Sequence, residues 1–97
     1  MMQFLVMSRR RVEQYSAEDF SAVLPKETEA VRALYADGIV RQIWLRGDVA
    51  GAAFLVEAED AVTAQATVDA LPMASSGLSE FTLIPLSPYR GFGPTPT

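Results

Sequence analysis

The chain contains neither cysteine nor histidine. Without cysteine, disulfide bonds and thiolate catalysis are excluded. Without histidine, the chain lacks the side chain that most often serves as a general base or a metal ligand near neutral pH. The titratable candidates for chemistry are therefore the carboxylates, the tyrosines and the single lysine, Lys26. No metal-binding constellation is predicted from these residues.

Long apolar runs and a positive charge balance are missing as well. No apolar stretch approaches the roughly 18 residues of a membrane-spanning helix, and no basic segment followed by an apolar one opens the chain. We therefore expect a cytoplasmic protein without a membrane partner. The formal net charge of −4 argues against a nucleic-acid partner, and we interpret the run Arg9, Arg10 and Arg11 as a solvated turn after a strand.

The composition is typical of one small globular domain. The 97 residues are 49% hydrophobic and 21% charged, which suits a single modest core. Residues 89–97 are rich in proline and glycine and are not expected to continue a helix or a strand. We predict a domain over residues 1–88 and a Pro/Gly-rich C-terminal tail over residues 89–97.

An amphipathic helix from Ser16 to Asp37 is predicted to organise the rest of the chain. Ser16 is the expected N-cap, and Gly38 supplies the left-handed conformation that commonly follows a helix. The apolar residues of this stretch recur at three- and four-residue spacings and share one helix face: Phe20, Val23, Leu24, Val31, Leu34 and Tyr35.

Glu27 lies in the middle of this apolar face and is directed at the predicted core. Burial without a partner raises the pKa of a carboxyl group, which suits proton transfer near neutral pH. Pro25 leaves an alternative open, because proline removes a backbone donor and crowds the preceding turn. If a new helix begins at Leu24, Glu27 lies in its first turn, where the helix dipole alone favours a carboxylate.

The other elements complete the order β-α-β-β-α-β. Strands are predicted over residues 2–7, 39–46, 50–57 and 78–84, with a hairpin turn at Gly47 and Asp48. A second helix is predicted over residues 61–70, with Asp60 as its N-cap. Its inner face is expected to consist of Val62, Ala66, Val68 and Leu71. This order is the α+β, ferredoxin-like βαββαβ plan.

Both faces of the predicted sheet are apolar, but two helices cover only one of them. On the second strand, for example, Ile39, Ile43 and Leu45 alternate with Val40 and Trp44. The economical solution is a homodimer in which two sheets pack face to face as a dimeric α+β barrel.

An ordered set of residues resembles the muconolactone delta-isomerase family over about residues 2–90. The matching segments are Lys26-Glu27, Gly38, Arg41-Gln42-Ile43-Trp44, Leu71-Pro72 and Ile84-Pro85-Leu86. The resemblance implies a dimeric barrel that often forms larger rings, a site between subunits completed by a neighbour's C-terminal segment, and no cofactor. It also implies that Glu27 is a base that shifts a proton along an allylic lactone.

The leading hypothesis is thus a cofactor-independent isomerase acting on a small molecule. Lys26, Gln42 or a backbone amide would meet the developing charge, and Arg41 or Arg46 would bind a substrate carboxylate. Trp44 is either a pocket wall or core.

Two alternatives follow from departures from the family pattern. The family commonly has histidine at the place of Gln42 and bulkier residues at Ala30, Ala52 and Ala53, so a cyclase or cofactor-free oxygenase with a larger aromatic or polyketide-like substrate is the second hypothesis. Its pocket would be lined by these alanines and Trp44. The third is a non-catalytic ligand-binding barrel, in which Glu27 pairs with an arginine and has no cavity beside it.

Overall fold

The computed structural model describes residues 1–93 and contains one four-stranded antiparallel sheet with its helices on one face. The elements in chain order are β1 (Met2–Arg10), α1 (Ala17–Ala36), β2 (Val40–Leu45), β3 (Ala52–Ala58), α2 (Ala61–Asp69), α3 (Pro72–Ser75) and β4 (Ser79–Leu86). This order confirms the predicted ferredoxin-like α+β plan. A 3₁₀ turn spans Arg90–Phe92, and residues 94–97 of the predicted tail lie outside the described residues.

The strand order β2-β3-β1-β4 puts β1 in the middle of the sheet, antiparallel to both β3 and β4. On β1, Phe4 pairs with Val56 on one side and Pro85 on the other. The fourth strand continues past its predicted end at Ile84 to include Pro85. Because β4 is an edge strand, the missing N–H of this proline is tolerated there.

Helix α1 begins and ends as its sequence predicts. Ser16 is the N-cap of a capping box: its hydroxyl accepts a hydrogen bond from the Asp19 N–H at 3.3 Å, and the Asp19 carboxylate accepts one from the Ser16 N–H at 2.9 Å. Gly38 has φ = +78° just after the C-cap. The helix continues through Pro25, so the alternative of a new helix starting at Leu24 is wrong.

The predicted inner face of α2 is half wrong. Val68 and Leu71 are buried as expected, but Val62 is 80% exposed, Ala66 is exposed, and Ala64 is buried instead. Residues two apart in a helix lie roughly 200° apart around its axis, so the face containing Ala64 and Val68 is opposite the one containing Val62. After α2, where no further helix was predicted, Pro72–Ser75 form the one-turn helix α3, with Pro72 in its first turn.

The core lies between the sheet and the helices. Alternate residues of the two central strands point into it, and the largest fully buried side chains are Phe4, Val6, Val40, Val56 and Val68. None of the helices within residues 1–93 has the length and apolar character needed to cross a membrane.

A β-bulge changes the phase of β2. The pairing with β3 shifts register between Val40 and Gln42, so that Val40 opposes Val56 while Gln42 opposes Leu55. Val40 is therefore buried on the helix side, and its predicted place on the same face as Trp44 is wrong. Beyond the bulge, Ile43 pairs with Phe54 on the helix side.

The sheet face without helices, here called the open face, is apolar as predicted. Trp44 is 49% exposed there, although tryptophan is among the side chains that bury the most surface in proteins. The other large apolar residues of this face are Leu5, Met7, Leu55, Ile84 and Leu86.

Candidate active site

A cavity of about 240 Å³ lies between α1 and the helix side of the sheet. Its polar lining residues are Ser8, Arg10, Glu27, Thr28, Arg32 and Ser79. Its apolar lining comes mainly from Leu24, Val31, Ile43, Leu45, Ala52, Phe54, Met73 and Phe81. The space is therefore largely hydrophobic, with a small number of polar groups, which is the usual character of a small-molecule site.

Glu27 is the only carboxylate among the residues that line this cavity. It is half-buried on α1, and its Oε1 accepts a hydrogen bond from the backbone N–H of Met73 at 3.0 Å. Burial raises the pKa of Glu27, while the Met73 hydrogen bond and the positive charge of Arg10 act in the opposite direction. The net effect is a raised pKa, so the carboxyl group holds its proton more tightly than an exposed glutamate does.

Arg10 lines the cavity from the end of β1. Its guanidinium carbon lies 5.5 Å from the centre of the Phe20 ring, within the range of a cation–π contact. Within residues 1–93, no carboxylate lies within ion-pair distance of this guanidinium, and its side chain donates no hydrogen bond. A partly buried cation thus lines the same space as Glu27.

The remaining polar residues of the cavity lining differ in their hydrogen bonding and in their exposure to solvent. The buried Ser8 hydroxyl accepts a hydrogen bond from the Ala52 N–H at 2.9 Å and lies 3.5 Å from the Ala52 carbonyl oxygen. Ser79 is also buried. Thr28 and Arg32 are exposed residues of α1, so the positive charge of Arg32 lies nearer the solvent.

Two of the predicted site residues, Glu27 and Ala52, come together at this cavity. Lys26 is exposed on the neighbouring position of α1 and is not part of the lining. Ala30 is packed against the hydrophobic core below the same helix. The catalytic pair predicted from the sequence is thus divided between the cavity and the surface.

The predicted residues of β2 and its turn lie elsewhere. Gln42 and Trp44 alternate onto the open face, across the sheet from Glu27. Arg41 is exposed beside Glu57, with 3.9 Å between Nε and Oε1. Arg46 makes a two-pronged contact with Asp48, with distances of 2.9 and 2.6 Å. Within one chain, none of these four predicted residues lines the cavity.

Sequence reasoning missed Arg10, because the first strand was predicted to end at Met7 and the arginine run was interpreted as a solvated turn. The strand continues to Arg10, and its alternation places Arg10 on the same side as Phe4, Val6 and Ser8. The signal available in the sequence was the period-two pattern, extended by three residues from Met7 to Arg10.

Among the residues that the structure describes, no cluster of three or more aspartate or glutamate side chains is arranged to hold a metal ion. The side chains of the cavity lining that carry polar groups supply one carboxyl group, two guanidinium groups and three hydroxyl groups.

Comparison with known proteins identifies the fold. No protein-family model and no curated protein matches the sequence. The structure is similar to that of 5-chloro-2-hydroxyhydroquinone dehydrochlorinase from Burkholderia phenoliruptrix AC1100, solved in complex with 2,5-dihydroxybenzoquinone. The two share 19% sequence identity and a TM-score of 0.61 over 91% of this chain and 94% of that one. The likeness therefore establishes a common α+β fold along nearly the whole chain.

Proposed function

We propose that this protein is a cofactor-independent enzyme that transfers a proton within a small unsaturated carbonyl compound, as muconolactone delta-isomerase does. The observation that carries the proposal is Glu27: a half-buried carboxyl group with a raised pKa borders a mostly apolar cavity. Effective general bases have pKa values close to the working pH, and desolvation is one way to raise a glutamate toward that range.

The proposed isomerisation needs a single base and neither adds atoms to the substrate nor removes them. The ionised Glu27 removes a proton from one end of the allylic system that is conjugated with the carbonyl group, which leaves a conjugated enolate. The protonated Glu27 then returns this proton to the far end of the conjugated system, and the double bond moves. The substrate and the product have the same formula, and Glu27 ends in its starting state.

The cavity volume favours a substrate with a single ring. A cavity of roughly 150 Å³ holds a benzene molecule, whereas drug-sized ligands occupy pockets of roughly 300–1,000 Å³. The volume of about 240 Å³ lies between these values. The solved relative was bound to 2,5-dihydroxybenzoquinone, a one-ring carbonyl compound, which is consistent with a substrate of this size.

The alternatives have less support. A pocket for a larger aromatic substrate was expected to combine Ala30, Ala52, Ala53 and Trp44, yet only Ala52 lines the cavity. A purely structural role for Glu27 was expected to pair it with an arginine and to leave no cavity beside it. Instead, Glu27 accepts a backbone hydrogen bond and borders an open space.

A homodimer through the open face is part of the proposal. Six large apolar side chains lie on that face without a helix to cover them. Contiguous apolar surfaces of this kind mark interaction sites, and a second copy of the same sheet is complementary to it under two-fold symmetry. In such a dimer, Trp44 and Gln42 are interface residues. The resemblance to the muconolactone delta-isomerase family further implies that a neighbour's C-terminal segment completes the cavity.

The test is proton exchange in deuterated water. Wild-type protein is mixed with muconolactone or a related unsaturated lactone, and isomerisation and deuterium incorporation are followed by NMR. Glu27→Gln should lower the rate about a hundredfold or more, because general bases contribute roughly 10²–10⁴ in rate. Full activity in this variant would rule out Glu27 as the base.

Glu29→Gln is the matched control. It removes the same charge from the same helix, but Glu29 is exposed and does not line the cavity. We expect wild-type exchange rates for this variant, so that a loss in Glu27→Gln alone identifies the position rather than the charge.

A further inference from the structure

The proposed reaction needs a group that binds the substrate's negative charge, and the residues predicted for this role do not line the cavity. Arg41 and Arg46 lie beside Glu57 and Asp48, and Lys26 is exposed. An enolate formed in an apolar space without a cation or a hydrogen-bond donor is costly, since unpaired charge is poorly tolerated away from water. The cavity must therefore supply this group from another position.

Arg10 has the features that such a group requires. It is partly buried, lines the cavity and has no carboxylate partner among residues 1–93. The other arginines nearest to it in the sequence are engaged. Arg9 makes ion pairs with Glu13 and Glu80 at 3.0 and 2.7 Å, and Arg11 donates a hydrogen bond to the carbonyl oxygen of Gly77 at 2.6 Å.

The Phe20 ring restricts where the guanidinium can go. The guanidinium carbon of Arg10 lies 5.5 Å from the centre of the Phe20 ring, so the ring limits its movement on that side. Its N–H groups donate no hydrogen bond to another group of residues 1–93 and are available to a ligand. An arginine restrained in this way loses less side-chain freedom when it binds a carboxylate or another planar oxyanion than a free surface arginine does.

The charges of the residues that line the cavity also favour an anionic ligand. Among its lining residues, two side chains are cationic, Arg10 and Arg32, and one is acidic, Glu27. With Glu27 ionised, the lining has one positive charge in excess. With Glu27 protonated, as it is after taking a proton from the substrate, it has two. The site is therefore electrostatically matched to a singly charged anion.

We propose that Arg10 is the anion-binding residue of this cavity and that the ligand is a flat, one-ring oxyanion, with its carboxylate, phenolate or enolate oxygen on Arg10 and its ring among the apolar side chains. This inference rests on the proposed function, which it deepens by naming the charge of the substrate. In the isomerase reaction, the same contact stabilises the enolate that forms when Glu27 takes the proton.

Binding of benzoate and benzamide to the intact protein, measured by calorimetry or NMR titration, tests the proposal without catalysis. The two probes have nearly the same shape, but only benzoate is an anion at pH 7. We expect benzoate to bind the wild type about tenfold more tightly than benzamide, because hydrogen bonds between charged groups are the stronger class. Equal affinities in the wild type would overturn the proposal.

Variants then locate the contact. Arg10→Gln should remove the preference for benzoate, and Arg10→Lys should retain part of it, since lysine keeps the charge but lacks the planar fork. Arg9→Gln is the matched control: it changes the adjacent arginine, whose contacts are with Glu13 and Glu80, and should leave the preference unchanged. If Arg10→Gln is folded, as judged by circular dichroism, and still prefers benzoate, Arg10 is not the anion-binding residue.

The inference and the proposed function fail separately. If benzoate binds through Arg10 but lactones show no proton exchange, the anion-binding role of Arg10 is supported and the isomerase proposal is contradicted. If lactone isomerisation depends on Glu27 but benzoate and benzamide bind equally well, the isomerase proposal is supported and the anion-binding role of Arg10 is contradicted.

Discussion

The carboxylate of Glu27, in the middle of α1, accepts a hydrogen bond from the backbone N–H of Met73 in the one-turn helix α3, at 3.0 Å. This contact joins two elements that are 46 residues apart in the chain. It engages Oε1, while Oε2 has no hydrogen-bond partner within residues 1–93. The carboxyl group is thus held in one orientation at the edge of the cavity, with one oxygen left for a ligand.

The stability of the fold should depend on pH through Glu27. Its pKa is raised in the folded protein by burial, so the folded state binds the proton more tightly than the unfolded chain does. The resulting stabilisation is complete below the unfolded pKa and is lost as the pH rises through the folded pKa. The free energy of unfolding, measured with urea, should therefore favour Glu27→Gln over the wild type by more at pH 8 than at pH 4.

Glu29→Gln serves as the control for this measurement because Glu29 is exposed on the same helix. Its difference from the wild type should change little between the two pH values. A Glu27→Gln variant that loses stability on going from pH 4 to pH 8 as much as the wild type does would contradict the role assigned to burial.

The close approach of Gly51 to β1 should make this position intolerant of any side chain. A Cβ at position 51 would overlap the carbonyl oxygen of Ser8 and lie 2.8 Å from its carbonyl carbon. Because these are backbone atoms, relief requires the strands to separate. We expect Gly51→Ala to lower the free energy of unfolding by about 2 kcal/mol, within the range for overpacked sites, as measured by chemical denaturation.

Gly47→Ala is the comparison for that prediction. A Cβ at position 47 meets no atom within 4 Å, so the change should be close to neutral. Equal effects at Gly47 and Gly51 would indicate that the loss arises from the turn as a whole and not from the contact with Ser8.

Filling the cavity should abolish ligand binding while the fold persists. Ala52 lines the cavity, and Ala53, next to it on β3, faces the opposite side of the sheet beside Met7 and Trp44. Ala52→Leu places a branched side chain in the space of about 240 Å³ and should reduce benzoate affinity below detection by calorimetry. Ala53→Leu should leave the benzoate affinity unchanged. A loss of affinity in this variant would place the ligand-binding pocket on the open face instead.

A charge on the open face should separate the proposed dimer. Trp44→Lys puts an ammonium group into an interface that would otherwise be apolar, so sedimentation analysis should give the mass of one chain for the variant and of two or more for the wild type. Val62→Lys, at an 80% exposed site on α2, should retain the wild-type mass. A wild-type protein that sediments as a monomer would end the dimer proposal.

The sequence by itself determined the order of elements and the ends of the long helix. Ser16, Asp19 and Gly38 act on backbone groups within a few residues of themselves, so their effects are local and visible in the pattern. The periodicity of the apolar residues likewise placed Glu27 on the inner face of α1, because that face depends only on the helical repeat.

Only the tertiary structure decided which groups meet at the cavity. The bulge in β2 changed which side chains face the helices, and the length of β1 decided whether Arg10 belongs to the sheet or to a turn. Both depend on pairing between strands distant in the chain, whose register a local pattern specifies only in part. The Met73 amide reached Glu27 for the same reason: packing of α3 against α1 brings them together, and neither segment alone encodes that contact.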